Sequence, residues 1–346
     1  MKLPQLFSLG FLLPLLLHAE APQSLRPGDL VAICGDSITE QRRYSIYMAD
    51  YLLMCQPQPD LRTVQLGIGG ENSTMFLKRM GDDILPFKPA VVTTCYGMND
   101  GGYAPSTPEM LALYRKSAEG IVAGLKKAGV RFILLGSPGA VDSFACAKVD
   151  PTIYNKTLGE LADISREVAA ENGVTFVDVH SLMLDAMAKA KAKYGSGYMV
   201  AGADGIHPGE NGHVIMAYAF LKALGCSGDI GTITVDAKSG KAEATAGHAV
   251  VSAANGVVEI ESTRYPFCFY GKPEDPAATS GMIEFLPFNQ ELNRYLLVVK
   301  NAPYILPALN RFHTQLFPLI TRWLSDSSTK PSNLSCSDSL VITRWR

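Results

Sequence analysis

From residue 30 to residue 225, short continuous apolar runs alternate with longer stretches in which apolar residues recur every three or four positions. Continuous runs suit strands covered on both faces, and the longer spacing suits amphipathic helices. The alternation therefore predicts a parallel sheet with helices on both sides, a three-layer α/β/α domain. The strand candidates are residues 30–34, 63–66, 90–95, 132–135 and 175–179. Met110, Tyr114, Ala118, Ile121 and Leu125 mark one helix, with Ser106 and Glu109 spaced as a capping box and Gly129 placed to end it. Tyr154, Leu158, Leu161 and Val168 mark a second, which stops at Asn172 and Gly173. Residues 182–194 form a third, with Lys189, Lys191 and Lys193 expected on a solvated face. Residues 214–224 are apolar nearly all round, so this helix should pack deep against the sheet and end at Gly225.

After Gly228 the pattern changes to period-two alternation, as in residues 230–235 and 257–260, with Asn255 and Gly256 suited to a tight hairpin. Residues 229–301 read as a small β-rich appendage. Residues 302–346 differ again: none of the chain's 31 glycines lies there, whereas both tryptophans and seven serines do. This atypical tail reads either as a terminal helix around residues 312–324 followed by a Ser-rich end, or as a segment in a reading frame unlike its ancestor's.

At the amino terminus Lys2 precedes an apolar stretch over residues 6–17, broken by Pro14 and followed by Ala19-Glu20-Ala21. A basic start, a short apolar stretch and a small-x-small pattern describe an export signal, so residues 1–21 are expected to be cleaved off after Ala21. The stretch falls short of the roughly 20 residues that a membrane-spanning helix needs, and no later segment approaches that length. We therefore expect a secreted or periplasmic protein without a membrane span, whose α/β domain occupies residues 22–228.

Composition narrows the partners. Apolar residues make up 47% of the 346, enough for a substantial core, and 31 basic against 33 acidic residues leave a net charge of -2 with no long run of either sign. That balance argues against a nucleic-acid partner and for a small or neutral one. The seven cysteines (Cys34, Cys55, Cys95, Cys146, Cys226, Cys268 and Cys336) are scattered without CxxC spacing, so zinc ligation has no support. Cys34 and Cys95 lie in apolar runs and should be buried free thiols.

The polar residues that carry chemistry cluster where strands give way to loops. The first strand runs into Gly35-Asp36-Ser37, the second into a loop containing Gly69 and Gly70, and the third into Gly97-Met98-Asn99-Asp100. A later loop holds Asp204-Gly205-Ile206-His207. Taken singly, each has an ordinary structural explanation. Asp36 and Ser37 can cap a helix over residues 41–55, the glycine loop can be a plain turn, Asn99 can hold a turn, and His207 can be a structural histidine, as we expect of His180, His213 and His248. No third glycine completes a dinucleotide fingerprint. Together they fall at one edge of the sheet, the edge where open α/β sheets bind ligands.

Gly35-Asp36-Ser37, Gly70, Asn99 and Asp204-x-x-His207, in this order, resemble the four blocks of the SGNH (GDSL-type) hydrolase family, and the match covers residues 29–225. The resemblance implies a flavodoxin-like five-stranded sheet of order 2-1-3-4-5. It also implies an esterase or acylhydrolase that needs neither metal nor organic cofactor. It assigns Ser37 as nucleophile, His207 as base and Asp204 as the acid of the triad, with Ser37, Gly70 and Asn99 as oxyanion-hole donors. The expected activity is hydrolysis of short acyl groups, such as acetyl, from carbohydrate. A lipase, lysophospholipase or thioesterase is the alternative within the same chemistry, and a non-catalytic carbohydrate-binding protein the alternative outside it.

Overall fold

The computed structural model describes residues 24–142, 149–254 and 257–301, together with the strand backbones Ile320–Leu324 and Val341–Ile342. The expected export signal, the turn expected at Asn255-Gly256 and the rest of the tail lie outside the described residues.

Five parallel strands form the central sheet: β1 (Leu30–Gly35), β2 (Arg62–Gly67), β3 (Val91–Cys95), β4 (Phe132–Gly136) and β5 (Thr175–Val177), in the order β2-β1-β3-β4-β5. Every residue of β3 and β4 is buried, the result expected when apolar runs are covered on both faces. One layer consists of α3 (Ser73–Asp83), α4 (Pro108–Lys127) and α5 (Pro151–Glu171). There Phe76, Met80, Ile121 and Leu125 pack on Ala32, Val92 and Ile133. The other layer is α2 (Tyr44–Asp50), α6 (Val179–Tyr194) and α7 (Glu210–Ala223). Of these α7 is buried along almost its whole length, as its apolar sequence requires. Cys34, Cys55, Cys95 and Cys226 are buried free thiols, and Cys268 is exposed. Burial pushes the Cys34 thiol up to about 12.

Local chemistry shifts several boundaries away from those the pattern suggested. The cap of α4 is Thr107, whose hydroxyl accepts from the Met110 amide, rather than Ser106. Pro108 explains the change: proline is preferred at the first helical position, which leaves the residue before it as the cap. Strand β5 stops at Val177 because Asp178 caps α6, accepting from the Ser181 amide at 2.9 Å. The helix expected over residues 41–55 starts only at Tyr44, where α2 begins and runs on into a π-helical turn, Tyr51–Cys55, and a separate short α1 (Ser37–Glu40) precedes it. The break falls at Arg42, which adopts a left-handed φ of 58°. Asp36 does act as a cap, accepting from the Ile38 amide at 2.9 Å. Lys191 does not sit on a solvated face. It pairs with Asp142, which is fully buried in the loop after β4. Lys189 and Lys193, by contrast, are exposed and pair with Asp185 and Glu284.

Beyond α7, β6 (Asp229–Asp236) pairs antiparallel with β7 (Ala242–Ala244), and β8 (His248–Ala254) pairs antiparallel with β9 (Val257–Ser262). Strand β10 (Arg294–Lys300) lies parallel to β6. The tail returns to these sheets as β11 (Ile320–Leu324) beside β10 and β12 (Val341–Ile342) beside β9. Residues 320–324 are thus a strand and not part of a terminal helix; a short apolar run fits either state, and here pairing with β10 selects the strand. Ile230, Phe267, Phe288 and Leu297 belong to the same continuous cluster of buried side chains as Tyr51, Met216 and Phe220, so the β-rich region is packed onto the α/β layers.

Candidate active site

Ser37 is the first residue of α1, directly after β1, where amide N–H groups have no partner within their own helix. Its Oγ lies 2.9 Å from His207 Nε2, and His207 Nδ1 lies 2.6 Å from Asp204 Oδ2. Facing a carboxylate, Nδ1 carries the ring proton of the neutral imidazole, which leaves Nε2 to accept from the serine hydroxyl. Asp204 Oδ1 accepts from the amides of Ile206 and His207, both at 2.9 Å, so one carboxylate shapes its loop and orients the ring. Partial burial disfavours the charge on Asp204, but these amide bonds and the His207 ring outweigh it and hold the carboxyl below its ordinary value. The series Ser37–His207–Asp204 can therefore take a proton from the hydroxyl and stabilise the imidazolium that results.

The loop carrying Asp204 and His207 is fastened from outside. Asp142 donates its amide to the Gly205 carbonyl at 2.8 Å while its carboxylate holds Lys191. Gly202, at φ 77°, lets the loop fold back on itself, because a Cβ there would stand 1.8 Å from the His207 carbonyl oxygen. Neither Asp142, Lys191 nor Gly202 was expected as part of the site.

Gly70 and Asn99 lie on the loops after β2 and β3, on either side of β1 in the sheet. Gly70, at φ 72°, stands in the turn closed by the Glu71 amide and Ile68 carbonyl. Asn99 Nδ2 donates one hydrogen to the Glu71 carbonyl at 3.0 Å, which joins the two loops. The Glu71 side chain is buried and takes a bidentate pair from Arg79, at 2.5 and 2.8 Å, and the Tyr96 hydroxyl at 2.6 Å. Asp100 adds a second clip by accepting from the Ser73 amide. Sequence patterns offered no sign of Glu71, Arg79 or Tyr96, whose pairing joins three separate elements.

The other histidines among the described residues are held internally. His180 Nδ1 donates to the Gly139 carbonyl, and His248 Nε2 donates to the Ile230 carbonyl. His213 Nδ1 accepts from the Tyr44 amide, and its Nε2 donates to Gln41 Oε1, each at 3.2 Å. Among the described residues no group of three or more His, Cys, Asp or Glu is arranged to hold a metal ion.

Burial, and then the positive charge of Arg43, lowers His213 to about 3. Below its ordinary 6.5 the unfolded chain takes up a proton here that the folded chain refuses, so acid favours unfolding, increasingly down to about pH 3. Asp36 acts in the opposite sense, because burial raises its carboxyl to about 7. The clean readout is therefore the difference between wild type and His213→Gln. That advantage should shrink by about 2 kcal/mol between pH 7 and pH 5 in denaturant unfolding, and a difference independent of pH would contradict the assignment.

A hydroxyl, imidazole and carboxylate in hydrogen-bonded series at the carboxyl edge of a parallel sheet is the arrangement of serine-dependent acyl transfer. Residues 33–215 match the model of the GDSL-like lipase/acylhydrolase family, and the chain belongs to that family. It is a carboxylic ester hydrolase. Over 219 residues it is 25% identical to an acetylxylan esterase of Geobacillus stearothermophilus, covering 57% of this chain and 94% of that protein. It is also similar to a gut microbial diltiazem-metabolizing enzyme, at a TM-score of 0.68 and 26% identity over 80% of this chain and 67% of that one. That share exceeds what the α/β layers alone supply, so the likeness extends into the β-rich region. Among the described residues no helix is long and apolar enough to cross a membrane.

Proposed function

We propose that this chain removes short acyl groups, chiefly acetyl, from carbohydrate through an acyl-enzyme formed on Ser37. The observation that carries the reading is the unbroken series from Ser37 Oγ through His207 to Asp204. His207 takes the hydroxyl proton as Ser37 attacks the ester carbonyl, and then passes it to the leaving alkoxide. Water, deprotonated by the same imidazole, releases the acid and restores the serine. Asp204 holds the ring's tautomer throughout. The Ser37 and Gly70 amides and the second Asn99 N–H stabilise the negative charge that develops on the carbonyl oxygen.

The substrate class is supported by the likeness to the acetylxylan esterase. Export is supported by Lys2, the apolar stretch and Ala19-Glu20-Ala21, with residues 22–228 as the hydrolase domain and residues 229–301 as its β-rich companion. The test compares acetylated xylo-oligosaccharides with 4-nitrophenyl esters of two, four and eight acyl carbons. We expect the acetyl glycans to be hydrolysed and the eight-carbon ester to be the poorest substrate. A preference for that ester, with inert glycans, would instead identify a lipase. Amino-terminal sequencing of exported protein should begin at Pro22, and retention of Met1 would refute the cleavage.

A further inference from the structure

On the flank formed by the start of α7, the helix that follows the His207 loop, four side chains from separate parts of the chain meet. Arg43 follows α1, Tyr47 belongs to α2, Glu210 opens α7, and Tyr270 comes from the β-rich region. Arg43 Nη1 lies 2.8 Å from Glu210 Oε1, and the Tyr47 hydroxyl donates to the other carboxylate oxygen. The Tyr270 phenol lies close enough to Tyr47, Glu210 and Arg43 to interact with them electrostatically. Arg43 and Tyr270 are nonetheless 43% and 50% exposed, too open for a cluster whose purpose is to fill a core.

This cluster is close to the reacting groups along both arms of the chain. Arg43 is six residues after Ser37, and between them Gln41 is tied to the buried His213. Glu210 is three residues after His207. The β-rich region is seated on the same loop: Phe267 packs edge-on against Tyr47, the Tyr198 hydroxyl donates to the Pro273 carbonyl at 3.1 Å, and the Pro276 carbonyl lies beside Gly209.

Chemistry dictates what this flank contacts. The leaving alkoxide must receive its proton from His207 Nε2, so the alcohol half of the ester lies on the imidazole's side of the bond being broken. A half-exposed phenol ring offers an apolar face, and the paired guanidinium and carboxylate offer donors and acceptors beside it. That combination fits a polyhydroxylated ring, with C–H groups on the aromatic face and hydroxyls towards the charges. It suits a hydrocarbon chain poorly, because the chain would strip water from the charges without replacing its hydrogen bonds. We propose that Tyr270, Arg43 and Glu210 form the subsite for the leaving sugar ring, which makes the β-rich region a specificity element of the esterase. This rests on the carbohydrate reading above.

The experiment measures kcat/KM for an acetylated xylo-oligosaccharide and for 4-nitrophenyl acetate in wild type, Tyr270→Ala, Tyr270→Phe and Arg43→Ala. Because the second substrate shares the acyl group but lacks the sugar, it also reports the folded, competent fraction. We expect the glycan-to-nitrophenyl ratio to fall about tenfold in Tyr270→Ala and Arg43→Ala, through KM, and by less than about threefold in Tyr270→Phe, which keeps the ring face. An unchanged ratio with glycan activity intact in wild type overturns the subsite alone. Equal losses on both substrates assign Tyr270 and Arg43 a structural role and also overturn it. A wild type that hydrolyses 4-nitrophenyl acetate but no acetylated glycan overturns the carbohydrate reading itself.

Discussion

Ser37→Ala is expected to lower kcat for ester hydrolysis by roughly 10⁵- to 10⁶-fold, because it removes the atom that becomes acylated and leaves His207 with no hydroxyl to activate. The loss should be catalytic and not conformational. The side chain is half-buried, its described contact is with His207, and α1 keeps its cap at Asp36. Melting within a few degrees of wild type, together with loss of labelling by a fluorophosphonate, is the expected result. Turnover within about tenfold of wild type would move the nucleophile elsewhere.

Asn99→Ala should cost about 100- to 1,000-fold in kcat with little change in KM, the size observed when one oxyanion donor is removed. A structural explanation competes, since Asn99 Nδ2 donates to the Glu71 carbonyl and the Tyr103 hydroxyl reaches Asn99 Oδ1 at 3.4 Å. Losing one such bond is worth about 1 kcal/mol, far below the barrier change expected from the oxyanion role. The two readings therefore separate by magnitude and by observable. A large fall in melting temperature with kcat intact in the surviving folded protein would leave Asn99 as a turn residue. Slower phosphonate labelling of Ser37 in a stable variant would keep it among the donors.

The sheet was readable because five apolar runs, spaced by helical stretches, leave few alternatives once both faces must be covered. Its strand order, and the roles assigned to the loop residues, came from the family resemblance and not from periodicity. Pairings between distant side chains left no trace in any local pattern. Lys191 reads as one lysine among three on a helix, and nothing near it in sequence announces the buried Asp142. Glu71, Arg79 and Tyr96 meet only after β2, α3 and β3 are in place. The break at Arg42 was equally invisible, because a left-handed arginine is held there by its surroundings and is not favoured by its own side chain. In the tail, pairing with β10 decided what a short apolar run at residues 320–324 could not.

Ser37 and His207 are separated by 170 positions, one at the first strand and the other just before the last helix of the α/β layers. A chain made from its amino terminus carries the serine long before the imidazole that would activate it exists. Until residue 207 has been made the hydroxyl stays as unreactive as any other alcohol, and no amino-terminal fragment short of that residue contains the pair. Reactivity towards esters should thus arrive at once and late, when the loop before α7 closes over the sheet edge. In refolding, the return of hydrolysis would time the final long-range docking step and not the collapse that precedes it.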